Sequence, residues 1–131
     1  MPPMHALLVS SDLSIVSLAT NAAARKSVEL QVAMSAAALS EALQSKPFSL
    51  VIFDLSMPSL DLAAAMQKLR EQATAHNTAG QNTPVQTLAF GPHVQEAVLA
   101  AARSAGCDRV ISRGQFHGQI EAILGNSGRQ E

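Results

Sequence analysis

Five short apolar runs, each followed by a longer segment with helical spacing, limit most strongly what this chain can fold into. The runs are Ala6 to Val9, Leu30 to Ala33, Leu50 to Phe53, Val85 to Phe90 and Cys107 to Ile111. Between them, Ile15, Leu18, Ala19 and Ala22 share one helical face, as do Leu62, Ala65, Met66 and Leu69. Val94, Ala97, Val98 and Ala101 repeat that spacing, and so do Phe116, Ile120, Ile123 and Leu124. Ala36, Leu39, Ala42 and Leu43 make a narrower stripe in the second helix. Strands alternating with amphipathic helices are the pattern of an α/β domain built on a parallel sheet.

Local signals punctuate the pattern. Ser14 suits the N-cap of the first helix, Pro92 the approach to the fourth, and Gly106 its C-terminal stop. Crossovers between parallel strands are right-handed, so five such units wind into a doubly wound sheet with helices on both faces, in the flavodoxin-like strand order 2-1-3-4-5. Ligands of such folds sit beyond the carboxyl ends of the strands.

A chain of 131 residues is expected to form one domain, with its core at 5–124 and a flexible tail at 125–131. The 47% hydrophobic and 15% charged shares describe a folded protein, and four Phe with no Trp or Tyr leave an aliphatic core. Nine basic and ten acidic residues are spread thinly, without the clustered Lys and Arg that nucleic acid requires. The single Cys107 fits a small core residue of a reducing compartment. Met4 to Val9 is too short and too uncharged at its start for a signal peptide, and no apolar segment is long enough to cross a membrane. The expected location is cytoplasmic. The polar, aperiodic segment 74–83 reads as a long loop before Pro84, a flexible insertion or a partner-binding loop.

The chemistry concentrates at Asp54, which ends the run Leu50-Val51-Ile52-Phe53 and precedes Leu55-Ser56-Met57-Pro58. This segment resembles the third strand of response-regulator receiver domains, in which the aspartate accepts a phosphoryl group from a phosphohistidine beside a divalent cation. The resemblance runs from Ala6 to about Leu124. It implies Asp54 as the phosphoacceptor candidate, a histidine kinase or downstream signalling protein as partner, and a face made by the fourth helix, fifth strand and fifth helix as the surface that meets a partner or a second copy.

The supporting positions depart from the family. Its acidic pair after the first strand is Ser10-Ser11 here, and neutral hydroxyls bind Mg²⁺ poorly. Asp12, one step on, is the remaining candidate metal ligand with Asp54, or else a helix cap. The family's Ser or Thr at the end of the fourth strand is Ala89, which cannot donate a hydrogen bond to a phosphoryl oxygen. Its Lys-Pro after the fifth strand is Arg113-Gly114, where arginine keeps the positive charge with a different geometry and could hold Asp54 or a phosphate. Glycine removes the reason for a cis peptide there. The switch positions are Ala89 and Val110, so neither the hydroxyl nor the aromatic partner of the family's relay is present.

The resulting expectation is a stand-alone receiver-like protein of two-component or phosphorelay signalling, degenerate at its pocket and acting as a protein-interaction module. Asp54 is then either a phosphoacceptor or a structural carboxylate bonded to backbone N–H groups or Arg113. No cofactor is required on this reading. A rival is a flavodoxin-like module binding a nucleotide, flavin or corrinoid, against which stand the missing phosphate loop and the missing stacking residues. An enzyme lacks any identifiable acid or electrophilic helper for Asp54. His5, His76, His93 and His117 show no metal-pair spacing, and Ser10, Ser11 and Ser112 sit in no nucleophile elbow.

Overall fold

The computed structural model describes residues 5–45, 48–57, 60–76, 85–92 and 94–126. Each apolar run becomes a strand and each periodic segment a helix: β1 His5–Val9, α1 Leu13–Lys26, β2 Glu29–Ala33, α2 Ala36–Ser45, β3 Leu50–Asp54, α3 Leu62–His76, β4 Gln86–Gly91, α4 Glu96–Ser104, β5 Arg109–Ser112 and α5 Arg113–Asn126. The strands pair in parallel in the order β2-β1-β3-β4-β5. The doubly wound, flavodoxin-like fold follows.

Successive side chains of a strand point to opposite faces, so every central strand serves two cores. Leu7, Val9, Val51, Phe53 and Ala89 meet Leu39 and Leu43 of α2, Ala65, Met66 and Leu69 of α3, and Ala102 of α4. Ala6, Leu8, Leu50, Ile52, Leu88 and Phe90 meet Ile15, Ala19 and Ala22 of α1, and Phe116, Ile120, Ile123 and Leu124 of α5. In the second layer Phe90 stacks on Phe116, centroids 4.1 Å apart and planes 8° from parallel. An Arg25–Glu121 ion pair at 2.6 Å joins α1 to α5 across the surface.

Several expectations are corrected. Asp12, not Ser14, is the N-cap of α1, because its carboxylate accepts the amides of Ser14 and Ile15. Residues 74–76, expected as the start of a loop, continue α3 instead; 77–83 lie outside the described residues. Likewise α5 continues through Gly125 and Asn126, and 127–131 lie outside the described residues.

Cys107 precedes β5 instead of opening it. Gly106 turns the chain at φ +103°, a conformation that side-chain-bearing residues avoid, and Asp108 then clips to Thr87. The Asp108 carboxylate accepts the Thr87 amide at 2.9 Å, and the Asp108 amide donates to Thr87 Oγ1 at 2.9 Å, so the ladder starts at Arg109. Cys107 is half-buried against Met66, and burial first, then the nearby Asp108 charge, pushes its thiol pKa up.

The largest correction concerns α4. Its periodic stripe Val94, Ala97, Val98 and Ala101 faces solvent, with Val94 76% exposed, and the helix buries Leu99 and Ala102 instead. Leu99 is the bulkiest apolar side chain of the helix and packs over Gly91, where an added Cβ would lie 3.6 Å from Leu99 Cδ2. Burying the larger residue over a backbone that has no side chain decides the orientation.

Candidate functional site

Register brings the site together. Val9 lies opposite Phe53 in the parallel pair β1–β3, so the residue that follows each, Ser10 and Asp54, reaches the carboxyl edge of the sheet side by side. Both are buried, Asp54 at 2% exposure and Ser10 at 0%.

A buried carboxylate needs hydrogen-bond donors, and the chain supplies them. Ser10 Oγ donates to Asp54 Oδ2 at 2.7 Å, and the Ser56 amide donates to Asp54 Oδ1 at 2.9 Å. Ser10 Oγ in turn accepts the Asp12 amide at 3.1 Å, while its own amide bonds Ala33 O at 3.1 Å. The loop after β3 is held by Leu55 N to Phe90 O at 2.9 Å and by Met57 N to Asp54 O at 3.1 Å. Pro58 of the motif lies outside the described residues.

Asp12 forms the outer part of the site. Its Oδ1 accepts the Ser14 amide at 2.9 Å and the Ile15 amide at 3.4 Å, and its Oδ2 accepts a short hydrogen bond from the Arg113 guanidinium. The bond from Arg113 is the main reason the Asp12 carboxyl lies below its ordinary range; the helix amides add to it, and partial desolvation opposes it.

Arg113 is the first residue of α5, and its position is set by a device the sequence reading missed. Ser112 Oγ accepts the Gln115 amide at 3.1 Å, and Gln115 Oε1 accepts the Ser112 amide at 2.9 Å. This is a capping box, and Ser-x-x-Gln at 112–115 is the signal that could have revealed it. Helix α5 therefore starts directly from β5, with no cis peptide among the described residues.

The remaining pocket positions contribute no polar group to Asp54. Ser11 is exposed, Ala89 is fully buried, and half-buried Val110 faces Ala89 in the β4–β5 register. His5 lies 3.9 Å from Glu29 at the far end of β1, His117 is exposed, and His93 lies outside the described residues.

Magnesium prefers carboxylate and water oxygens in near-octahedral geometry. Here Asp54 is engaged by Ser10 and Ser56, and Asp12 by Arg113 and two helix amides. No group of three His, Cys, Asp or Glu side chains suited to a metal occurs among the described residues. The donor set does not fit a divalent cation.

No protein-family model matches the chain, and no curated protein sequence matches it. Solved structures do. The receiver domain of a sensor histidine kinase from Pseudomonas aeruginosa PAO1, with magnesium coordinated in its active-site cleft, superposes with TM-score 0.76 at 13% identity, over 98% of this chain and 100% of that one. A receiver domain from Bermanella marisrubri gives TM-score 0.74 at 18% identity, over 98% and 100%. A response regulator from Burkholderia pseudomallei, with a phosphorylated aspartic acid and a calcium ion, gives 0.72 at 13%, over 95% and 69%.

The chain has the response-regulator receiver fold.

Within that receiver fold, Asp54 stands at the carboxyl edge of the sheet, and α4, β5 and α5 lie at one end of it. A groove of about 620 Å³ opens at the opposite edge, at the amino ends of β3 to β5 against α5, between Leu50, Thr87, Asp108, Gln119 and Ile123. Two of its polar groups, Thr87 and Asp108, are bonded to each other.

Proposed function

We propose that this chain is a receiver-like signalling module of the two-component or phosphorelay type that works through protein contacts and not through phosphoryl transfer at Asp54. One observation carries the reading: each oxygen of the buried Asp54 carboxylate accepts a hydrogen bond from the chain itself, Oδ2 from Ser10 and Oδ1 from Ser56. Phosphoryl transfer brings two anionic oxygens together and relies on cations to absorb the charge. The cation-holding carboxylates are replaced by Ser10 and Ser11, and Arg113 is paired with Asp12.

The partner is a histidine kinase or a downstream signalling protein, and a second copy would use the same kind of face. The solvent-facing stripe of α4 supports that surface, since Val94 and Val98 are two of the four large apolar side chains exposed among the described residues. Cytoplasmic residence belongs to this reading; no described helix is long and apolar enough to cross a membrane.

The test is incubation with acetyl phosphate and Mg²⁺, followed by intact-mass measurement of wild type and Asp54→Ala. Wild type is expected to stay unmodified. A Mg²⁺-dependent phosphoryl adduct in wild type that is absent from Asp54→Ala would return Asp54 to phosphoacceptor chemistry.

A further inference from the structure

The groove at the amino ends of β3 to β5 exists because α5 covers its layer unevenly. Phe116 fills the carboxyl side by stacking on Phe90. Further along the helix, the residues that border β4 and β5 are Gln119 and Ala122, one polar and one carrying only a methyl, and they leave about 620 Å³ unfilled. That volume lies within the roughly 300–1,000 Å³ of small-molecule sites. The floor is apolar, made of the buried core side chains Leu50, Leu88 and Ile123.

The polar groups around that floor are unequal. Asp108 turns its carboxylate to Thr87, and its Oδ2 already accepts the Thr87 amide and hydroxyl. Arg109, two residues before Ile111, faces the α5 layer and is exposed. One of its N–H groups donates to Gln119 Oε1 at 3.5 Å. The rest of the guanidinium has no hydrogen bond and no ion pair among the described residues, and neither the Gln86 side chain nor the Gln119 amide nitrogen has a partner there. N–H donors are therefore in surplus over acceptors.

We propose that this groove binds an amphiphilic monocarboxylate, its aliphatic or aromatic body on Leu50, Leu88 and Ile123 and its carboxylate held by Arg109. A carboxylate matches the planar fork of a guanidinium, and the amides of Gln86 and Gln119 supply further donors. A ligand cation finds no equivalent, since Asp108 Oδ2 and Gln119 Oε1 are in use. A multiply charged phosphate lacks a second cation, because Arg109 is the one basic residue lining the groove among the described residues. The site lies at the far edge of the sheet from Asp54, so it goes beyond the proposed function without depending on it.

Sodium octanoate is the probe, titrated to about 10 mM, which fills most of a site of millimolar affinity, while amide resonances are followed by NMR. Saturable shifts are expected at Leu88, Arg109, Gln119 and Ile123, and none at Ser10, Leu55 and Ser56. Octylammonium chloride, the same body with the opposite charge, is expected to leave the groove unshifted. Arg109→Gln keeps an exposed polar side chain and is expected to raise the Kd for octanoate about tenfold. Ala122→Phe, at an exposed helix position, is expected to fill the groove and abolish the shifts in a folded protein.

An absence of saturable shifts in wild type would overturn the proposal, and so would a response to octylammonium equal to that of octanoate. Unchanged affinity in Arg109→Gln would overturn the role given to the guanidinium. A folded Ala122→Phe that still binds octanoate would place the ligand elsewhere and overturn the site.

Discussion

Asp54 and Ser10 act as a pair. A hydrogen bond to a buried charged group contributes about 2 kcal/mol, because the carboxylate oxygen left behind has no water to turn to. Ser10→Ala should therefore lower stability by about 2 kcal/mol, read as a fall of roughly 5–10 °C in Tm. Combined with Asp54→Ala, it should cost clearly less than the sum of the two single changes, since neither partner is then orphaned. Additive losses in that cycle would show that the bond at 2.7 Å does not carry the interaction.

The Arg113–Asp12 pair makes a prediction in pH. Arg113 holds the Asp12 carboxyl below its ordinary range, so the folded state binds that proton less readily than the unfolded chain. The contribution is fully present above the ordinary carboxylate pKa and is lost as pH falls below about 4 and through the folded-state value. Wild type should lose more stability than Arg113→Gln across that window in denaturant melts, and equal losses would sink the assignment. Half-buried Cys107, with its thiol pushed up by burial, should react with iodoacetamide at pH 8 more slowly than an unfolded control.

Among the elements, α4 shows where reading the sequence stops. Apolar spacing located every strand and helix to within a few residues, because two-sided burial of a strand and one-sided burial of a helix leave different periods. It could not say which apolar side of α4 turns inward. The stripe Val94, Ala97, Val98 and Ala101 outnumbers Leu99 and Ala102, yet Leu99 takes the place above Gly91. Leu99→Ala should cost about 2–3 kcal/mol and Val98→Ala within about 0.5 kcal/mol, measured by urea unfolding. The reverse order would place the stripe inside.

The start of α5 teaches the same lesson. Arg113 is readable as a basic residue after the fifth strand, but its partner is set by the Ser112–Gln115 box and by Asp12 at the head of α1. The box is local to Arg113, whereas Asp12 lies 101 residues away in the chain. The sequence shows that the usual pocket residues are absent, whereas the register of β1 against β3 shows what Ser10 does in their place.

At the scale of the whole molecule, the two layers are unequally secured. One side of the sheet is closed by α1 and α5, with the Phe90–Phe116 stack inside and Arg25–Glu121 outside. On the other side α4 rests on Leu99 and Ala102 at the margin of the sheet. Amide hydrogen exchange should find α4 opening with less free energy than α1 or α5, and equal protection would contradict this ranking. The lightly anchored α4 is the element on which the proposed protein-contact role depends.

The most direct measurement is an NMR comparison of the wild-type protein with and without beryllofluoride and Mg²⁺, following the amides of Ser10, Leu55 and Ser56. An unchanged spectrum is expected, because Ser10 and Ser56 already hydrogen-bond Asp54. Saturable shifts at those three amides that vanish in Asp54→Ala would show an open, cation-dependent acceptor and contradict it.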